Sequence, residues 1–225
     1  MRAVFVSLGL LAATAVAAPA GAVDLYASFG TGISFTSADS GGINWFGPVQ
    51  NNGEASDTTP PFTGALGVAF APEEIGFAGV GLRLELAGAG NYATRFHTNS
   101  VPGYFYETEV DAWTGMVNLW VDVPVTQTVG LYVGGGAGTE TDDTVVQGVE
   151  TDINFAWTAG AGVSWRVATW AVLDLGYRYV DLGDAATELV DPGPSAPPSY
   201  LTLDDLHAHQ VLASFRIQMP AGWIF

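Results

Sequence analysis

The segment WAVLDLGYRYVDLG, residues 170–183, alternates strictly. Leu173, Leu175, Tyr177 and Tyr179 share one parity; Asp174, Gly176 and Arg178 share the other. Successive side chains of a β-strand point to opposite faces, so one face is apolar and ends in two tyrosines. The other face holds a carboxylate and a guanidinium with only a glycine between them. Such a strand fits a stave of a transmembrane β-barrel, with lipid on the tyrosine side and a packed lumen on the other.

The composition is compatible with that reading. The chain has 225 residues and is 48% hydrophobic, enough for one domain. Charged residues make up only 13%, yet the formal net charge is −17. There is no cysteine, which excludes disulfides, thiolate nucleophiles and Cys-based zinc sites. There is no lysine either: all 6 basic residues are arginines, so Walker-type phosphate binding and Schiff-base chemistry are excluded. The acidity argues against nucleic acid as a partner, because that binding needs a basic footprint.

Residues 1–22 have the pattern of a signal peptide. Arg2 is a short positive region, residues 4–16 are apolar, and Ala20-Gly21-Ala22 is a small-x-small cleavage site. The mature domain is expected to span residues 23–225. No later apolar run is long enough for a spanning helix.

Alternation recurs along the rest of the chain. Leu25, Ala27, Phe29, Thr31, Ile33 and Phe35 oppose Tyr26, Ser28, Gly30, Gly32 and Ser34 in a first strand. A polar loop is expected over residues 36–60, then strands around 62–70 and 80–87, a loop with Arg95 and His97, and a strand over 106–123. A strand from Leu131, the acidic loop TETDDTVVQGVETD (139–152), a strand over 153–165, the opening segment, a Pro-rich loop and a last strand through Val211, Phe215, Ile217 and Met219 complete the pattern. Eight strands of about ten residues suit a tilted membrane crossing. Their connections alternate long and short, as in outer-membrane barrels. The predicted fold is all-β: an eight-stranded antiparallel up-and-down transmembrane barrel.

Lipid, rather than water, is assigned to the outside on three grounds. The non-aliphatic parity is mostly Gly, Ala, Ser and Thr, which suits a narrow lumen better than a solvated sheet. Arg83, Arg95, Arg166, Arg178 and Arg216 all fall on that parity; near the midplane of a bilayer each would cost about 2–4 kcal/mol on the lipid side. Inside, they can pair with Glu85 and Asp174, giving a lumen charge ladder of Arg83, Glu85, Asp174, Arg178 and Arg216. Finally, aromatics lie at the expected interfaces: Trp113, Trp157, Tyr177 and Tyr179 toward the outer side, Trp165, Trp170 and Trp223 toward the inner.

With these residues in view, LYVGGGAG (131–138), FAWTAGAGVSWRV (155–167) and LDLGYRYVDLG (173–183) resemble the porin-like, OmpA-type outer-membrane β-barrel family. The final strand, with Phe215, Ile217, Trp223 and the terminal Phe225, is similar to that family's assembly signal. The resemblance implies a barrel without a peptidoglycan-binding domain, a cleaved export signal, and partners among outer-membrane lipids, lipopolysaccharide and the barrel-assembly machinery. It implies a structural or surface-interaction role, with a narrow channel as the alternative. Some eight-strand barrels modify lipid A through a His-Ser pair. Here the position two after His207 is His209, and two after His97 is Asn99, so no nucleophile stands where that chemistry needs one. GGGAG (134–138) lacks the Lys-Ser/Thr of a phosphate loop. Glu140, Asp142 and Asp143 do not have EF-hand spacing and are expected in a solvated loop. His207 and His209 share one face, but no third metal ligand is evident. No cofactor, metal site or catalytic residue is assigned.

Overall fold

The computed structural model describes residues 24–44, 47–49, 54–75, 79–91, 94–100, 104–144, 153–186 and 200–219. The expected signal peptide and the Trp223 and Phe225 tail lie outside these residues. In chain order the strands are β1 (Asp24–Asn44), β2 (Gly47–Val49), β3 (Glu54–Thr59), β4 (Pro61–Phe70), β5 (Gly81–Asn91), β6 (Thr94–Ser100), β7 (Tyr104–Pro124), β8 (Val129–Thr144), β9 (Ile153–Ala168), β10 (Ala171–Ala186) and β11 (Tyr200–Met219). A one-turn helix, α1 (Pro72–Ile75), sits between β4 and β5.

Eight of these strands are staves. The ladder runs β1-β4-β5-β7-β8-β9-β10-β11 and closes where β11 pairs with β1, all antiparallel. Closure leaves no unpaired edge among the staves, the condition for β-structure in hydrocarbon. At one end the turns are tight. Val125 and Thr126 donate to the Val129 carbonyl at 2.9 Å, and the Thr126 hydroxyl accepts the amides of Thr128 and Val129.

The two faces invert the pattern of a soluble protein. Phe155, Leu66, Leu86 and Leu175 point outward at 69%, 67%, 62% and 60% exposure, whereas Arg83 and Arg216 are each only 4% exposed. Lysine and arginine are almost never buried in soluble folds unless paired, and a continuous apolar exterior needs lipid to cover it. No helix among the described residues is long and apolar enough to cross a membrane.

Strand length departs from the expected ten residues. β1 and β7 each have 21 residues and β11 has 20. The loop expected over 36–60 holds the upper half of β1 together with β2 and β3, and the loop with Arg95 and His97 holds β6, paired to β7. Ser, Asp and Gly are poor strand formers, but cross-strand pairing with 200–204 of β11 overrides their preference. For the same reason 139–144 belongs to β8. Glu140 is therefore not in a solvated loop: it points inward at 0% exposure.

Candidate functional site: the barrel lumen

The lumen-facing glycines make room for large side chains. Tyr26, Gly67 and Glu85 stand side by side on β1, β4 and β5. A Cβ on Gly67 would lie 2.5 Å from the Tyr26 ring, so the missing side chain is what lets the ring lie flat across β4. Its hydroxyl then donates to Glu85 Oε2 at 2.8 Å. Gly162 and Gly176 form the same kind of slot for Tyr132, whose ring a Cβ on either would strike.

Glu85 also accepts from Asn118 Nδ2 at 3.0 Å and Trp120 Nε1 at 2.7 Å. The ladder expectation needs correcting here: Glu85 is held by three neutral donors, not by an arginine. Arg83 turns the other way, to Asp122 on β7, at 2.7 Å. Asp174 does take an arginine. Arg216 Nη2 and Nε reach its two oxygens at 3.1 and 3.2 Å, and the Ser164 hydroxyl donates to the same carboxylate. Bidentate geometry of this kind is the strong form of the interaction. The tyrosines tie the groups together, with the Arg83 guanidinium 5.1 Å from the Tyr132 ring centre and that of Arg216 5.5 Å from Tyr26.

Arg178 departs from the ladder too. Its Nε and Nη2 donate to Gln210 Oε1 at 3.1 and 2.7 Å, and among the described residues it has no carboxylate partner. Gln210 in turn donates to Ser34. Above this level Ala38, Met116, Ala156, Val180, Leu182, Leu206 and Ala208 form one buried apolar cluster, with the buried Thr36 and Thr158 as direct cross-strand neighbours of Ala208 and Val180. Free space shrinks in the same direction. An open mouth of about 370 Å³ bounded by Asp24, Asp122, Arg166 and Arg216 leads to a chamber of about 70 Å³ between Arg83, Glu85, Asp174 and Arg178. Beyond it, among the described residues, lies a gap of about 10 Å³ between Thr114, Met116, Arg178, Val180, Leu182 and Gln210.

The family model for the outer membrane protein β-barrel domain matches residues 8–216. The chain belongs to that family. Membership puts this barrel among bacterial outer-membrane proteins, and its apolar exterior fits a lipid surrounding. No curated protein sequence matches it. Among solved structures, the outer membrane protein OprG from Pseudomonas aeruginosa is similar at a TM-score of 0.56 and 11% identity, over 88% of this chain and 96% of that one. Neisserial surface protein A is similar at 0.47 and 14%, over 85% and 97%. Ail, the attachment invasion locus protein of Yersinia pestis, is similar at 0.42 and 14%, over 85% and 99%. At such identities the likeness is one of fold.

On the outer face of this barrel, Trp113, Trp157, Trp165, Trp170 and Tyr177 are exposed and Tyr179 is half-exposed. Trp157 packs on Tyr179 at 5.2 Å between ring centres, and Phe215 lies between Phe29 and Trp170. Ile217 is exposed beside Ala27 and Ala171. Arg166 is exposed at the mouth, while the Arg95 side chain is outside the described residues. Asp122, Asn118, Trp120, Tyr132, Ser164 and Gln210 are lumen residues that the ladder omitted. Asp122, Asn118 and Trp120 share a parity opposite to Leu119 and Val121, which was the available signal.

Proposed function

We propose that this outer-membrane barrel is a sealed protein with a structural or surface-interaction role and a side-chain-filled lumen, exported by a cleaved signal peptide. The supporting observation is the narrowing of free space from the mouth to the apolar cluster at Met116, Val180 and Leu182. An ion would have to pass a gap of about 10 Å³ between Met116, Val180 and Leu182 on one side and Thr114, Arg178 and Gln210 on the other, too small for its hydration shell. This reading takes the role as non-enzymatic; the described hydrogen bonds of His207 and His209 run to the Asp205 carbonyl and the Tyr177 hydroxyl. The test is swelling of liposomes containing the purified chain in isotonic sugars and amino acids. Liposomes with the protein should swell no faster than empty ones.

The runner-up is a narrow channel for small solutes, favoured by the charged chamber between Glu85 and Arg178. Swelling that falls with solute size would establish it in place of the sealed barrel.

A further inference from the structure

Two of the charged groups around the lumen chamber have no ionic partner among the described residues. Glu85 is bonded by the neutral side chains of Tyr26, Asn118 and Trp120, and Arg178 by the neutral Gln210. The other charges of the wall cancel in pairs, Arg216 with Asp174 and Arg83 with Asp122. Glu85 stands on β5 and Arg178 on β10, which lie on opposite sides of the closed ring of staves. Both bound the chamber of about 70 Å³, so a negative wall faces a positive one across it.

Each wall also has unused bonding capacity. Arg178 commits Nε and Nη2 to Gln210, and its Nη1 makes no bond among the described residues. A Cβ on Gly176 would strike the Tyr132 hydroxyl, so that hydroxyl lies against β10, on the same inner parity as Arg178 and next to it on that face. It too is unbonded among the described residues. On the opposite wall Glu85 accepts from Tyr26, Asn118 and Trp120, and an ionised carboxylate has about four acceptor sites. The hydroxyls of Ser28 and Thr63, on β1 and β4, line the chamber as well.

Water can meet these hydrogen bonds but neither charge, and an uncompensated charge in such an interior is costly. A lone anion would compensate Arg178 and add to the charge of Glu85; a lone cation would do the reverse. A molecule carrying both charges answers both walls. Each water-sized group needs about 10–15 Å³ of such space, so the chamber holds roughly five non-hydrogen atoms. That is the size of the smallest amino acids.

We propose that the chamber is a binding site for a small zwitterion of the amino-acid type, with its carboxylate on Arg178 Nη1 and the Tyr132 hydroxyl and its ammonium group toward Glu85. The site needs no passage through the barrel, so it is independent of whether the lumen is sealed. Entry from the mouth runs past the Arg216–Asp174 and Arg83–Asp122 pairs, each of which has one member at the mouth and one at the chamber.

The test is equilibrium dialysis of isotope-labelled glycine against purified full-length protein, refolded in detergent with the probe present so that entry past those pairs does not limit loading. Acetate and methylamine, each with one of the two charges, are the comparison probes. A hydrogen bond to a charged group contributes about tenfold or more in binding, so glycine should bind more tightly than either by at least that factor. Leucine, too large for the chamber, should not compete. Glu85→Gln should weaken glycine by about tenfold or more without weakening acetate, and Arg178→Gln should weaken both. Heat-modifiable mobility on gels identifies the variants that fold, and the probe series on the wild type decides the matter if neither does. The proposal is overturned if glycine is not retained, if acetate or methylamine binds as tightly as glycine, which would mark a site for a single charge, or if folded Glu85→Gln keeps the wild-type affinity for glycine.

Discussion

The lower and upper halves of this lumen are filled by opposite means. Below, Arg216 and Asp174, Arg83 and Asp122, and Glu85 with its three donors form a polar network with water-sized gaps. Above, Val180, Leu182, Leu206 and Met116 narrow the same cylinder with apolar side chains, packed beside the buried Thr36 and Thr158. The polar half ties staves to one another by directional contacts. The apolar half excludes water. If that division holds, damage below costs stability without opening a path, and damage above opens a path.

The largest effect belongs below. Asp174→Ala leaves Arg216 buried without its carboxylate, and such a loss typically costs about 3–5 kcal/mol. Urea unfolding in detergent measures it, and the variant should remain as impermeable as the wild type. Leu182→Ala comes next. Leu182 is 2% exposed, and truncation of a buried leucine costs about 2–5 kcal/mol, here toward the lower end because the rim can relax. Unlike the Asp174 change, it should admit small ions. Gly162→Ala drives a methyl into the Tyr132 ring and should cost about 1–3 kcal/mol by overpacking. Heat-modifiability on gels would show the loss as a lower unfolding temperature. Glu85→Gln is the mildest, about 1–2 kcal/mol, because an amide still accepts from Tyr26 or Trp120 but not from all three donors. A Glu85 change as costly as Asp174→Ala would mean that Glu85 compensates an arginine across the chamber, and the two would then be equivalent.

Parity was legible in the sequence, and it fixed the architecture. A period of two assigns every residue of a stave to lipid or lumen, so Arg83, Glu85, Asp174, Arg178 and Arg216 all read as inner-parity residues from the sequence. Register was not legible. Which carboxylate meets which arginine depends on how neighbouring staves slide, and a shift of two residues keeps parity while changing every partner. Arg83 meets Asp122 because Gly81 lies opposite Asp122, and Arg178 meets Gln210 because those two are direct neighbours. The upper strands were hidden for a related reason. The 36–44 end of β1 is loop-like in composition and is held as strand by β11 and β3, far away in sequence. Glu140 was misplaced along with its loop.

The seal itself is tested most directly by single-channel conductance in planar bilayers, comparing wild type with Leu182→Ser combined with Leu206→Ser. Both leucines are 2% exposed in the apolar cluster, and two hydroxyls there would let water enter. The account predicts a silent wild type and a resolvable current from the double variant. A large steady current from the wild type, unchanged in the double variant, would contradict it.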